Sequence, residues 1–150
     1  MKRLFLAIAA FACLGTALPA AAQFAKPEDA VKYRKAAFTV MGAHFGRVAA
    51  MANGRVPFDA KAAASNAEIA TMMSKLPYAG FVDGSDKGDT KAKPEIWSER
   101  AKFDASATKM QDEMVKFNAA AKTGDLAAIK TAVGAVGQAC KGCHDTYRKE

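Results

Sequence analysis

Close to the end of the chain stand Cys140, Lys141, Gly142, Cys143 and His144, two thiols spaced by two residues with a histidine directly after the second. Thiols at this spacing can form thioether bonds to the two vinyl groups of haem while the imidazole reaches its iron, which is the c-type attachment pattern. Three other uses of the same residues fit less well. A redox-active Cys-x-x-Cys follows a strand in a βαβ setting, and nothing strand-like precedes Cys140. A zinc site needs a fourth strong ligand, and the only other histidine is His44. A disulfide between Cys140 and Cys143 would close a tiny loop and strain any helix that carried it. The spacing therefore predicts one covalent haem c per chain, attached through Cys140 and Cys143, with His144 as the metal ligand.

The opposite end of the chain agrees with that chemistry. Met1-Lys2-Arg3 gives a positive start, Leu4 to Leu18 carries no charge, and Ala20-Ala21-Ala22 supplies small residues before Gln23. This reads as a cleaved secretory signal over residues 1–22, with 23–150 as one mature domain in the periplasm. The apolar run is short for a bilayer span, and no stop-transfer segment follows, so no membrane association is expected after cleavage. Cys13 leaves with the signal, so the oxidising compartment serves haem attachment and not a disulfide framework. Loss of Lys2 and Arg3 lowers the net charge of +7 by two. The remaining excess suits solubility and the steering of an acidic partner such as a redox protein. Its scatter among acidic residues, without aromatic interleaving, carries no nucleic-acid footprint.

The elements that must position the motif read as four helices. Pro27-Glu28-Asp29 forms a first helical turn, with proline fixing φ and two carboxylates at the positive helix end. That helix runs to about Met51 and stops near Asn53-Gly54. Val31, Phe38, Met41, Phe45 and Val48 make its apolar stripe, and Arg34 fills a slot within it. Arg34 either meets a buried anion, a haem propionate being one, or snorkels to water with only its stem packed. Asp59 caps a second helix through Ala62, Ile69, Met72, Met73 and Leu76, ended by Pro77. Tyr78 to Lys93 is a loop, long enough to hold a short turn of structure or to be one long connection in a bundle. Lys93-Pro94-Glu95 opens a third helix whose stripe is Phe103, Ala107, Met110, Met114, Phe117 and Ala121. The methionines read as core fillers, and Trp97, just before the stripe, either caps the core or touches a cofactor. Gly124 and Asp125 reverse the chain into a fourth helix carrying Leu126, Ile129, Val133, Val136, Cys140, Cys143, His144 and Tyr147. At about 100° per residue, Cys140, Cys143, His144 and Tyr147 fall within an arc of roughly 100°, so one helical face presents the whole motif to the interior. The fold class is all-α, an antiparallel four-helix bundle with covalently attached haem.

Gln23 to Asp29, Lys93-Pro94-Glu95-Ile96-Trp97-Ser98 and Cys140 to Lys149 together resemble cytochrome c′, the class II c-type cytochromes, over nearly the whole mature chain. The C-terminal place of the motif is the most diagnostic part of that resemblance. It implies a high-spin, five-coordinate haem with His144 as the only protein ligand, its other face closed by an apolar residue of the first helix. That position is Phe38 here, where a leucine is common among relatives. The resemblance also implies Arg34 near the propionates, Arg148 beside the proximal pocket, and a homodimer through the first two helices.

Counting from Pro27 at ~1.5 Å per residue, Arg34 lies about 10 Å along the first helix, Phe38 about 16 Å, Met41 about 21 Å and His44 about 26 Å. His144 stands about 8 Å from its own helix end. In an antiparallel arrangement His44 is too far along to reach the haem, whereas Met41, one turn beyond Phe38, remains a rival to it. The expected protein is a non-catalytic haem protein that binds nitric oxide and carbon monoxide, for protection against nitric oxide or its transport. The alternative is an electron-transfer cytochrome with six-coordinate iron held by His144 and Met41. A peroxidase-like enzyme fits less well, because the inferred distal side lacks an acid-base group to handle the peroxide proton.

Overall fold

The computed structural model describes residues 23–150, so the expected signal segment 1–22 lies outside the described residues. Five α-helices follow one another: α1 (Pro27–Ala52), α2 (Ala60–Met73), the single turn α3 (Glu95–Ser98), α4 (Arg100–Thr123) and α5 (Leu126–Tyr147). A 3-10 turn, Pro77–Gly80, interrupts the long connection between α2 and α3. The four long helices form the antiparallel bundle: α1 packs on α2, α2 on α4 and α4 on α5, and α1 closes the ring more sparsely against α5. Among the described residues no helix is long and apolar enough to cross a membrane.

Most ends follow the local signals. Pro27 opens α1 with Glu28 and Asp29 in its first turn, where the carboxylates face unpaired N–H groups. The backbone N–H and the Nδ2 of Asn53 both donate to Ala49 O, at 3.0 and 2.8 Å. Gly54 then turns the chain at φ 68°. Asp59 Oδ1 accepts from Ala62 N at 2.9 Å to start α2. Gly124 at φ 72° and Asp125, whose Oδ1 accepts from Ala127 N at 2.8 Å, form the compact reversal into α5.

Two boundaries depart from expectation. The second helix stops at Met73 and not at Leu76: Lys75 N and Leu76 N bond three residues back, to Met72 O and Met73 O. This tightening into 3-10 geometry is a common way for a helix to end, and here it precedes a proline that disfavours helical geometry in the residue before it. The third helix is not continuous from Pro94. It breaks at Glu99, φ −118° and ψ 39°, where side chains on either side grip the loop: Trp97 Nε1 donates to Val82 O and Arg100 Nη1 to Phe81 O, each at 3.1 Å. Tertiary anchors outweigh helical continuity at this point.

The core is in two parts. The larger joins all four long helices around Val48, Met114, Phe117, Ile129 and Val136. The smaller is aromatic, with Phe81, Ile96, Phe103 and Tyr147. Phe38 and Tyr78 pack against both. Between the two parts, where α1 faces α5, lies a cavity of about 490 Å³.

Candidate haem site

One wall of this cavity is the last two turns of α5, which bring Cys140, Cys143, His144 and Tyr147 to its lining as the helical arc required. Both cysteines are free thiols and half-buried. Burial pushes the thiol pKa values of both upward, with Cys140 adding to the effect on Cys143. The His144 imidazole is held below its ordinary pKa, first by desolvation and then by the Arg148 charge, against an opposing pull from Asp145. That favours the neutral imidazole, the form in which a ring nitrogen can ligate a metal. The end of α5 is fixed by an antiparallel bridge between Ala92 and Arg148, in which Lys93 N donates to Tyr147 O at 2.9 Å and Lys149 N to Lys91 O at 2.8 Å. Arg148 lies on the cavity lining, at the mouth beside His144.

The facing wall is α1 with Arg34, Phe38, Met41 and Phe45. Phe38 is half-buried, whereas Met41 is 7% exposed and belongs to the larger core. The Phe38 ring stands edge-on to Tyr78, centroids 6.0 Å apart, and to Phe81 at 6.4 Å. Phe81 continues to Phe103 at 4.9 Å, and Phe103 to Tyr147 at 5.3 Å. These spacings fall in the range favoured by edge-to-face aromatic pairs. Burial, then Cys143 and Cys140, push the Tyr78 phenol well above its ordinary pKa, so it stays neutral.

Arg34 takes neither of its two sequence readings in full. At 3% exposure it does not snorkel. Its Nη1 donates to Gly80 O and to Ser85 Oγ, both at 2.7 Å, and its Nη2 to Ser85 O at 2.7 Å and Thr90 Oγ1 at 2.8 Å. All four terminal N–H groups are therefore turned to the loop, and a propionate partnership would fall to Nε. Desolvation lowers the guanidinium pKa to about 10, with Asp86 pulling it back up, so it remains charged at neutral pH.

Other candidates fall away from the site. His44 shares a 2.8 Å hydrogen bond between its Nδ1 and Asn66 Oδ1 and does not line the cavity. Trp97 caps the aromatic core over Phe81, centroids 6.2 Å apart, and also stays off the lining. Sequence reasoning missed Tyr78, Phe81, Ser85 and Thr90, which sit in a stretch without periodicity. The one local hint was a pair of aromatics close behind Pro77.

The donor set and the space suit haem. Two unpaired thiols and an imidazole share one helical face on a cavity whose volume lies in the range of about 300–1,000 Å³ typical of cofactor sites. The opposite side is mostly apolar around Phe38, Met41 and Phe45, with Arg34, Lys35 and Thr39 beside them. A helical bundle with this attachment face on its last helix defines a bundle-type c-type cytochrome.

The comparisons with known proteins are specific on this point. Residues 29–148 match the family model for cytochrome c′, and the chain belongs to that family. It is 54% identical over 129 residues to cytochrome c′ of Rubrivivax gelatinosus, covering 85% of this chain and all of that protein. The crystal structure of cytochrome c′ from that organism superposes with a TM-score of 0.82 at 55% identity, over 85% of this chain and all of that one. A nitric oxide complex of a cytochrome c′ variant from Alcaligenes xylosoxidans superposes with a TM-score of 0.80 at 48% identity, over 85% and 99% of the two chains.

Proposed function

We propose that the mature domain 23–150 is a periplasmic haem protein that binds nitric oxide and carbon monoxide at a five-coordinate, high-spin iron, and that it acts in nitric oxide binding, protection or transport. Cys140 and Cys143 hold one haem c by thioethers, and His144 is the sole protein ligand to its iron. When bound, the haem supplies a ferrous iron with a sixth position for a diatomic ligand. The chain's part is to orient the haem by two covalent tethers, to present the His144 imidazole from the same helical face, and to wall the other side with Phe38.

The observation that carries this reading is the half-buried Phe38 ring on the cavity lining opposite the α5 wall, with Met41 one turn further along and packed into the core. A ring in that place blocks a protein ligand yet can yield to a small one. Displacing it off its rotamer costs about 0.5–1.5 kcal/mol, which weakens binding roughly two- to tenfold. Crowding of this kind favours nitric oxide, whose bond to ferrous iron is strong, over oxygen. The nitric oxide complex of the Alcaligenes relative supports the same ligand class. Phe38→Ala should raise carbon monoxide affinity by that two- to tenfold, and an unchanged affinity would remove Phe38 from the ligand's path. The role is binding and not catalysis: the α1 wall carries Phe38, Met41, Gly42 and Phe45, its cations Arg34 and Lys35 are turned to the loop 80–90, and no histidine or carboxylate on that wall can handle the peroxide proton. A homodimer through α1 and α2 belongs to the same reading, supported by the solvent-exposed Val40 and Met72 on those helices. Sedimentation at micromolar concentration tests it.

A further inference from the structure

We propose that Arg34 is a positioning residue of the distal wall: by clamping the loop 80–90 against α1 it sets the place of Phe81, and through Phe81 the freedom of Phe38 to swing out of an incoming ligand's way. This rests on the reading of Phe38 given above and extends it to a residue of the same cavity wall whose four terminal N–H groups are turned to the loop.

Three observations converge on the clamp. The four terminal N–H groups of Arg34 reach three points of the loop, Gly80, Ser85 and Thr90, with sequence separations of 46 to 56 residues. The guanidinium carbon also lies 4.4 Å from the Phe81 ring centroid, so the same group that holds the backbone on both sides of Phe81 covers its face. The loop is seated without slack. A Cβ at Gly80 would come within 2.7 Å of Ala30 O and 2.8 Å of Arg34 Cβ, closer than such atoms approach.

The geometry then runs outward from α1. Arg34 and Phe38 stand one turn apart on the same helix. Phe38 is hemmed at its edge by Phe81 and Tyr78, and Phe81 is braced behind by Phe103. For Phe38 to move, the ring beside it must give way, and Phe81 can give way only if its loop does. A planar fork with donors in fixed directions suits this task, because it satisfies several oxygens at once. A lysine offers the same charge from a single point and cannot bridge Gly80 O, Ser85 O and Thr90 Oγ1 together.

This separates the clamp from a role toward a propionate. A partnership based on charge should survive Arg34→Lys, whereas a clamp should not. The test is carbon monoxide association with the ferrous holoprotein, followed by flash photolysis in the unmodified protein, R34K, T90V, F38A and the double variant R34K/F38A. T90V removes the Oγ1 that accepts from Arg34 Nη2 and also from Ala92 N and leaves Arg34 in place, so it loosens the loop side of the clamp even if R34K yields no folded holoprotein. R34K and T90V should both speed association, roughly two- to tenfold and less in T90V, as Phe38 becomes freer to leave its rotamer. R34K should add nothing once Phe38 is absent, because its effect passes through that ring. Unchanged rates in R34K and T90V beside a faster F38A would overturn the clamp and leave the reading of Phe38 intact. Equal acceleration by R34K with and without Phe38 would also overturn it, placing Arg34 on the haem side. An F38A rate equal to that of the unmodified protein would reject the reading of Phe38 itself, and the clamp with it.

Discussion

On the α5 wall of the cavity, both thiols, the imidazole and Tyr147 come from two successive turns of one helix. On the opposite wall, Phe38 owes its surroundings to Tyr78 and Phe81, some forty residues on, and to a loop held by Arg34 on α1, Trp97 on α3 and Arg100 on α4. The first wall is regular secondary structure whose geometry follows from 3.6 residues per turn. The second is irregular chain held by side chains, and its geometry follows from which oxygens those side chains reach. A fixed tether and an adjustable cover ask for different construction. The attachment chemistry tolerates no displacement, whereas a cover over a ligand site must hold a position and still be able to leave it.

Breaking the α5 wall should have the largest effect. Cys140→Ser together with Cys143→Ser should abolish covalent haem attachment, so that haem extracts freely into acid-acetone and the periplasmic protein loses one haem from its intact mass. Haem retained in the doubly substituted chain would contradict attachment through these thiols.

On the other wall, Arg34→Ala should lower the unfolding free energy of the holoprotein by about 3 kcal/mol, measured by denaturant. The figure reflects a stranded Ser85 O at about 1–3 kcal/mol, together with lost charged hydrogen bonds. Gly80 O keeps Ser85 Oγ at 3.3 Å. A loss of about 1 kcal/mol or less would be that of a surface contact.

Glycine substitutions sharpen the contrast, because the same change should have opposite signs in the clamped loop and on regular α5. Gly80→Ala drives a Cβ into Ala30 O and should cost about 1–3 kcal/mol, as overpacking does. Gly134→Ala, exposed on α5 with nothing within 4 Å of the added carbon, should stabilise by about 0.5–1 kcal/mol through helix propensity. Thermal unfolding of the two variants reads both signs in one experiment, and a destabilised Gly134→Ala would count against an α5 governed by helix geometry alone.

The smallest effect is at the loop's outer edge. Lys35 Nζ lies 2.6 Å from Asp89 Oδ2 in solvent, and its hydrogen bond and charge hold the Asp89 carboxyl below its ordinary pKa of 3.8. A carboxyl depressed in the folded state contributes stability that is present above its unfolded value and lost as pH falls through the folded one. Stability measured from pH 6 down to pH 3 should therefore fall slightly less steeply in Asp89→Asn than in the unmodified protein. Identical slopes would show that this pair does not help hold the loop.

How much of this the sequence carried follows the same division. The bundle, the caps at Asp59 and Asp125, the reversal at Gly124 and the attachment face were all written in local spacing, and family membership agrees with that reading. The break at Glu99 was not legible, since it is decided by contacts made elsewhere in the chain, whereas α2 ended as expected before Pro77 but a few residues early, through local tightening into 3-10 geometry. The α1 stripe put Phe38 and Met41 on the cavity; His44 is off the lining, but through its direction toward Asn66 and not its distance along the helix, since Phe45 one residue further on does line the cavity. Arg34 was visible as an oddity on that stripe, but its partners were not. They are loop carbonyls and hydroxyls, which every sequence contains and no periodicity marks.

The central claim is that Phe38, and no protein donor, faces the iron opposite His144. The optical spectrum of the dithionite-reduced holoprotein tests it most directly. A five-coordinate, high-spin ferrous spectrum in the unmodified protein, unchanged by Met41→Ala, is the predicted result. A low-spin ferrous spectrum that is lost in Met41→Ala and kept in Phe38→Ala would contradict it and make the protein an electron carrier with His144 and Met41 on the iron.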